Sequence, residues 1–343
     1  MSVTRKPYGT MPNGETVEQL TITGEGGLSV TFITYGGTLT NLIFDGKDIV
    51  LGYESMEAYL HEVGCIGVTV GRYANRIAGG TFELNGVTYD VGCNENEFCH
   101  LHGGEGGFQV KNWIVASVEE SAITLRQLSP DGEVGYPGNV CVDVRIAVTP
   151  DNTLSFEYTA TTDKDTILSL TQHAYFNLNG YNGGNILDTL LQISADTILP
   201  VNEHLIPLGK PMSVEGTPFD FRKLKPIGRD ITNDHEQIKL GNGYDHNFIL
   251  NGEANEWKHC ATAISNKTGI RMDCYTDQPG VQLYTGNLLK VDFGKGGPMS
   301  QYQGFCLETQ HFPDSPHNPE YPSTVLKAGD TYHTVTEYRF TKV

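Results

Sequence analysis

The sequence is short of several things, and each shortage removes a class of function. Cations are few: 23 Lys plus Arg stand against 41 Asp plus Glu, a net charge of −18, and no stretch forms a basic stripe. A polyanion would meet the wrong sign of potential, which disfavours nucleic acid and acidic membrane surfaces as partners. Long apolar runs are missing, so no segment reads as a membrane span, and the N-terminal MSVTRKPYGTMPNGE has neither the apolar stretch nor the cleavage pattern of an export signal. Seven cysteines (Cys65, Cys93, Cys99, Cys141, Cys260, Cys274 and Cys306) are scattered without a CxxC pair. That spacing argues against a disulfide framework and against a structural zinc site. A reducing cytoplasm accounts for them as buried or bystander thiols.

Helical periodicity is scarce as well, confined to pieces such as SMEAYLHEV (55–63) and NDHEQI (233–238). What fills the chain is strand pattern. LSVTFITY (28–35) alternates apolar and polar residues, TFELNGVTYDV (81–91) folds around Asn85-Gly86, and VDVRIAVTPDNTLSFEYTATT (142–162) folds around Pro150-Asp151-Asn152. WIVASVEESAITLRQL (113–128) and the end of the chain, YHTVTEYRF (332–340), repeat the scheme. Forty glycines suit a chain that reverses often. With no linker, low-complexity tract or fixed-period repeat, the pattern predicts one all-β domain over residues 1–343, a large sandwich or barrel.

Against that background a few polar clusters stand out. HLHGGEGGF (100–108) offers His100 and His102 to one face of a strand, with Glu105 as a third ligand, a metal-site reading weakened by the Gly103-Gly104 pair that breaks the strand. The alternative makes His100 a packed residue and His102 a ligand-contacting one, with the two glycines leaving room beside it. The stretch lacks the lysine of a phosphate loop, and no GxSxG elbow occurs anywhere. GRYANRIAGG (71–80) places Arg72, Asn75 and Arg76 among glycines, and LTQHAYFNLNG (170–180) sets His173 among apolar and aromatic residues. GYDHNFIL (243–250) brings Asp245 and His246 to the start of a strand, and FCLETQHFPDSP (305–316) ends an apolar run on Glu308. Singly, each has a structural explanation: a turn arginine, a core histidine, a capping aspartate, a strand-edge glutamate. Together they suggest acid–base chemistry on a neutral, polyhydroxylated molecule. A carboxylate on an apolar strand loses solvation and becomes a better base, and histidine is the natural partner acid.

These motifs, with QPGVQLYTGN (278–287), resemble the aldose 1-epimerase (galactose mutarotase) family in order and rough spacing over about residues 30–340. The resemblance implies a single large antiparallel β-sandwich of the mutarotase type with a few short helices, an open cleft, no metal and no organic cofactor. By the same resemblance Glu308 is the general base and His173 the general acid. His102, Asn75, Arg76, Tyr175, Asp245 and Gln282 contact the sugar, and His102 also supports the transition state. The expected activity is interconversion of α and β aldohexoses such as galactose and glucose by a monomer or homodimer. Gln172 departs from the asparagine common in the family before the acid histidine, which puts any hydrogen bond from that position in question. Two other readings use the same residues: a carbohydrate-binding sandwich without catalysis, and a glycoside hydrolase with Asp245 and Glu308 as its two carboxylates.

Overall fold

A computed structural model describes residues 1–61 and 64–343 of the chain. Short helices occur at Met56–Leu60 and Glu236–Gly241, near the two stretches with helical period; Glu62 and Val63, the end of the first stretch, lie outside the described residues. No helix among the described residues is long and apolar enough to cross a membrane.

Strand alternation builds the rest. In Val140–Val148, the side chains of Val140, Val142, Val144, Ile146 and Val148 are buried, while Cys141, Asp143 and Arg145 are half-exposed. Leu154, Phe156, Tyr158 and Ala160 answer them from Thr153–Thr162 across an antiparallel pairing. Each large apolar side chain removed from water contributes roughly 1.5–3 kcal/mol. The reversal uses Asn152 at φ +61°, and the Asn152 Oδ1 accepts the Leu28 N–H at 3.2 Å, tying the hairpin to a neighbouring sheet.

Three main sheets result, all with antiparallel pairings. Nine strands form the largest, with Thr331–Lys342 at its centre between Thr153–Thr162 and Ile270–Thr276. Five strands from the N-terminal fifty residues form a second. The third, also of five strands, runs Met212–Ser213, Ala195–Ile198, Asp245–Leu250, Gly280–Tyr284, Cys306–Gln310. One apolar cluster draws on all three, from Leu20 and Phe32 through Phe156 to Leu283, Leu307 and Phe340.

The third sheet and two short strand pairs position the site. Period-two alternation sends Phe248, Leu250, Val281, Leu283 and Leu307 into the core, and so turns Asp245, Gln282 and Glu308 to the other face. Thr69–Val70 pairs with Thr171–Gln172, and Arg76–Ala78 pairs with Cys99–Leu101, so the loops after residues 71 and 101 cross beside that face.

At the crossing the glycines do something the sequence did not indicate. A Cβ on Gly103 would lie 1.9 Å from the Gly71 carbonyl oxygen, and one on Gly104 would lie 2.7 Å from His100 Cε1. Both positions therefore serve close packing of chain on chain, and neither leaves room for a ligand. Gly103 also sits at φ +80°, so an added side chain is strained whatever the space. Gly103→Ala is expected to cost about 2 kcal/mol or more in urea denaturation. Wild-type stability in that variant would mean the two loops part easily.

Candidate active site

His102 is placed by backbone before side chain. Asn75 at φ +63° and His102 at φ +51° face one another across the loop crossing, and His102 N–H donates to the Asn75 carbonyl at 3.0 Å. In return Asn75 N–H donates to His102 Nδ1 at 3.2 Å. The neutral ring then carries its proton on Nε2 and is a donor there. The left-handed turn at His102 also ends the strand, so His100 and His102 do not share a face. His100 is buried elsewhere, between the Tyr136 hydroxyl at 2.8 Å and the Gly92 carbonyl at 3.0 Å, and Glu105 is exposed.

His173 follows Thr171–Gln172. Its N–H donates to the Val68 carbonyl and its carbonyl accepts from Gly67, both at 2.9 Å. Gln172 turns away from the cleft: it accepts from Thr69 Oγ1 at 3.0 Å and donates to the Gly67 carbonyl, so the longer amide arm stiffens the backbone that carries His173. The His173 ring stacks on Tyr175 at 5.1 Å and meets His102 edge-on at 5.1 Å. Its Nδ1 lies 3.5 Å from Cys306 Sγ.

Glu308 projects from Cys306–Gln310, opposite Gln282 in register, and is 1% exposed. Its Oε1 is 3.6 Å from His173 Nε2. Burial pushes the Glu308 carboxyl well above the ordinary carboxylate range, reinforced by Asp245 and opposed by Arg76. Burial likewise pushes His173 down to about 4, and His102 well below its usual value, with His173 and Arg76 adding to the effect. Both partners of the Glu308–His173 pair are thus driven toward neutrality.

Arg76 and Asp245 form the opposite wall. The guanidinium donates from Nε and Nη2 to Glu95 at 2.6 and 2.8 Å, leaving Nη1 3.8 Å from Asp245. Gln282 Nε2 donates to Asp245 Oδ1 at 2.6 Å. Burial raises the Asp245 carboxyl despite Arg76 beside it. Arg72, four residues from Arg76, goes the other way: it donates to Ser129 Oγ and to the Ser129, Pro130 and Pro137 carbonyls, each at 2.8 Å, and is an anchor between loops. His246, adjacent to Asp245, faces Gln237 at 3.1 Å from the core side of the strand.

All eight site residues read from the sequence, Asn75, Arg76, His102, His173, Tyr175, Asp245, Gln282 and Glu308, therefore come to one place. Sequence reasoning missed Glu95, which orients Arg76 and accepts from Cys99 Sγ at 3.1 Å, because CNENEFC carries no pattern. Cys306 is one of the buried thiols the sequence suggested, and the structure adds that it flanks His173.

His102, His173 and Glu308 bring potential ligand atoms within 4.8 Å of one another, a different set from the one the HxH spacing suggested. The hydrogen bonding of His102 does not suit a metal. Asn75 N–H occupies the Nδ1 lone pair and Nε2 carries the proton, so neither nitrogen offers a free pair, and Arg76 adds a positive charge nearby. The cluster is better matched to hydroxyl groups.

The sequence profile of the aldose 1-epimerase family matches residues 18–339. Human galactose mutarotase is 40% identical, covering 99% of this chain and 98% of its own length. Aldose 1-epimerase of Escherichia coli K12 is 36% identical over 96% of both chains. The crystal structure of galactose 1-epimerase from Lactobacillus acidophilus superimposes with a TM-score of 0.88 at 31% identity and 99% coverage of both chains. The chain belongs to the aldose 1-epimerase family.

Proposed function

We propose that this protein interconverts the α and β anomers of an aldohexose such as galactose or glucose, with Glu308 as base and His173 as acid. The observation that carries the roles is the buried 3.6 Å approach of Glu308 Oε1 and His173 Nε2, with their proton affinities displaced in opposite directions. Ionised Glu308 takes the proton of the C1 hydroxyl while protonated His173 gives one to the ring oxygen. The C1–O5 bond breaks and the C1 carbonyl forms. Rotation about C1–C2 turns the other carbonyl face to O5, and the same two groups reverse the step. In each half-cycle one proton passes between Glu308 and His173 by way of the sugar, so the site's net charge is constant.

The remaining residues hold the sugar through ring opening. Arg76 Nη1 and His102 Nε2–H are donors, Asp245 is an acceptor, and Gln282 Oε1, buried with no partner among the described residues, offers another. Tyr175 supplies its ring face, since its hydroxyl donates to the Gly64 carbonyl at 2.8 Å. Asp245 is held between Gln282 and Arg76, which supports an orienting role over that of a second hydrolytic carboxyl. Residues 1–343 act as one unit, for which the shared core speaks, and a reducing cytoplasm suits seven free thiols.

Three outcomes test this reading. In polarimetry on freshly dissolved α-galactose or α-glucose, Glu308→Gln should lose ~10²–10⁴-fold in rate while still binding sugar; near-normal mutarotation would remove Glu308 from the base role. The active pair holds one proton, so kcat/KM should be flat between two limbs. The acid limb falls near 4, where His173 and Glu308 are both protonated, and the alkaline limb falls where the raised Glu308 loses its proton. A profile that begins to fall only below the ordinary carboxylate range, with no alkaline limb, contradicts the assignment. Finally, Glu95→Gln should raise KM about tenfold with a smaller change in kcat, because Arg76 loses its charged clamp and shifts toward Asp245.

A further inference from the structure

The sheet face that carries Glu308 presents three rows of side chains: Asp245–Tyr284–Cys306, Asn247–Gln282–Glu308 and Ile249–Gly280–Gln310. The chemistry above leaves Asn247 and Gln310 without a task. Gln310 is fully buried and neither atom of its amide has a hydrogen-bond partner among the described residues; the same holds for Asn247. Glu308 Oε2, in the same patch, also has none. Gly280 lies between them, and a Cβ there would come within 2.7 Å of Asn247 Oδ1 and 3.0 Å of Phe312 Cδ1. The absent side chain is what lets the Asn247 amide and the Phe312 ring close over the row. A buried amide without a partner is costly, whereas an apolar side chain of equal length would pack there nearly free. Nothing in the packing of the strand calls for an amide at 310.

We infer that Gln310, two residues beyond Glu308 on the same strand face, is a positioning residue for the base: its N–H turns to Glu308 Oε2 when the carboxylate ionises. Asn247 lines the same patch from the far strand. The inference rests on Glu308 being the base. The groups that face Glu308 are His173 and Cys306 at one end, Asp245 across the sheet, Arg76 and His102 from the crossing loops, and Tyr284 beside Gln282. His311, next in the chain, is half-buried, and desolvation pushes it down to about 4, so it stays neutral. None of these donates to Oε2. The amide on Glu308's own strand face is thus a donor of suitable chemistry within one strand repeat.

The test is Gln310→Met, which keeps length and removes the amide. Losing a donor to the ionised carboxyl raises its proton affinity. The alkaline limb of kcat/KM should therefore move up by about one pH unit, the plateau should fall about tenfold, and variant and wild type should converge above the limb. Thermal stability should hold or rise. Limbs unmoved, with or without a lower plateau, would overturn the inference. Should the Met variant not fold, Gln310→Glu serves: a second carboxyl facing Glu308 should move the same limb up, and no movement would overturn the inference. Glu308→Gln run in parallel separates the two claims. Mutarotation surviving in it defeats the base assignment itself, whereas its loss beside an unshifted Gln310→Met profile defeats only the role of Gln310.

Discussion

A carboxyl and an imidazole 3.6 Å apart, both shut away from water, cannot each keep the charge they would carry in solution. That constraint organises the rest of the site. Burial raises one group and lowers the other, so the pair settles at a single proton that either can hold. Mutarotation needs this: one proton leaves the C1 hydroxyl, one arrives at the ring oxygen, and no net charge is created in a medium that would penalise it. On the proposed roles the second half of the reaction is the first in reverse, so a pair that holds one proton in either distribution would serve both anomers without resetting from solvent.

The fold delivers the pair by two different means. Glu308 comes from a sheet, where register sets it opposite Gln282 and alternation puts Leu307 into the core. His173 and His102 come from short strand ends stitched by backbone hydrogen bonds, with Gln172 bracing the carbonyl of Gly67 that lies next to Val68, the acceptor for His173 N–H. A sheet face tolerates little lateral movement and loop crossings tolerate more. The crossing is therefore tightened by glycines at 103 and 104, where the two chains come closer than any side chain would allow.

The local elements were legible because alternation and turn chemistry are local: the hairpins around Asn85-Gly86 and Pro150-Asp151-Asn152 form where the pattern put them. The residues that gather around Glu308 and His173 were legible through motifs. What could not be read was whatever depends on a distant partner. Neighbouring strands of the site sheet lie tens of residues apart in sequence, so their register is set by tertiary packing. Spacing alone put His100 beside His102, and one positive φ separated them. Gly103-Gly104 suggested space for a ligand, yet the space is taken by the Gly71 carbonyl and by His100 itself. Glycine reports close approach without saying of what. Glu95 had no signal at all, since its importance comes only from the arginine it meets.

Arg72 and Arg76 show how one motif divides its labour. Both are buried, and a buried guanidinium is stable only when its donors are met. Arg72 is met by three carbonyls and a hydroxyl, all neutral acceptors; burial lowers its proton affinity to about 10, only partly offset by Glu133 on the far side of the Ser129 hydroxyl. Arg76 is met by the Glu95 carboxylate, which holds two of its nitrogens and raises its proton affinity together with Asp245. The first arrangement commits four of the five N–H donors to fixed partners and ties all three nitrogens to loop atoms. The second fixes the plane of the guanidinium while keeping Nη1 turned to the cleft, where Asp245 stands too far for a full hydrogen bond. At 3.8 Å the two atoms are spaced so that a hydroxyl standing beside them, on the proposed reading one from the sugar, could accept from Nη1 and donate to Asp245.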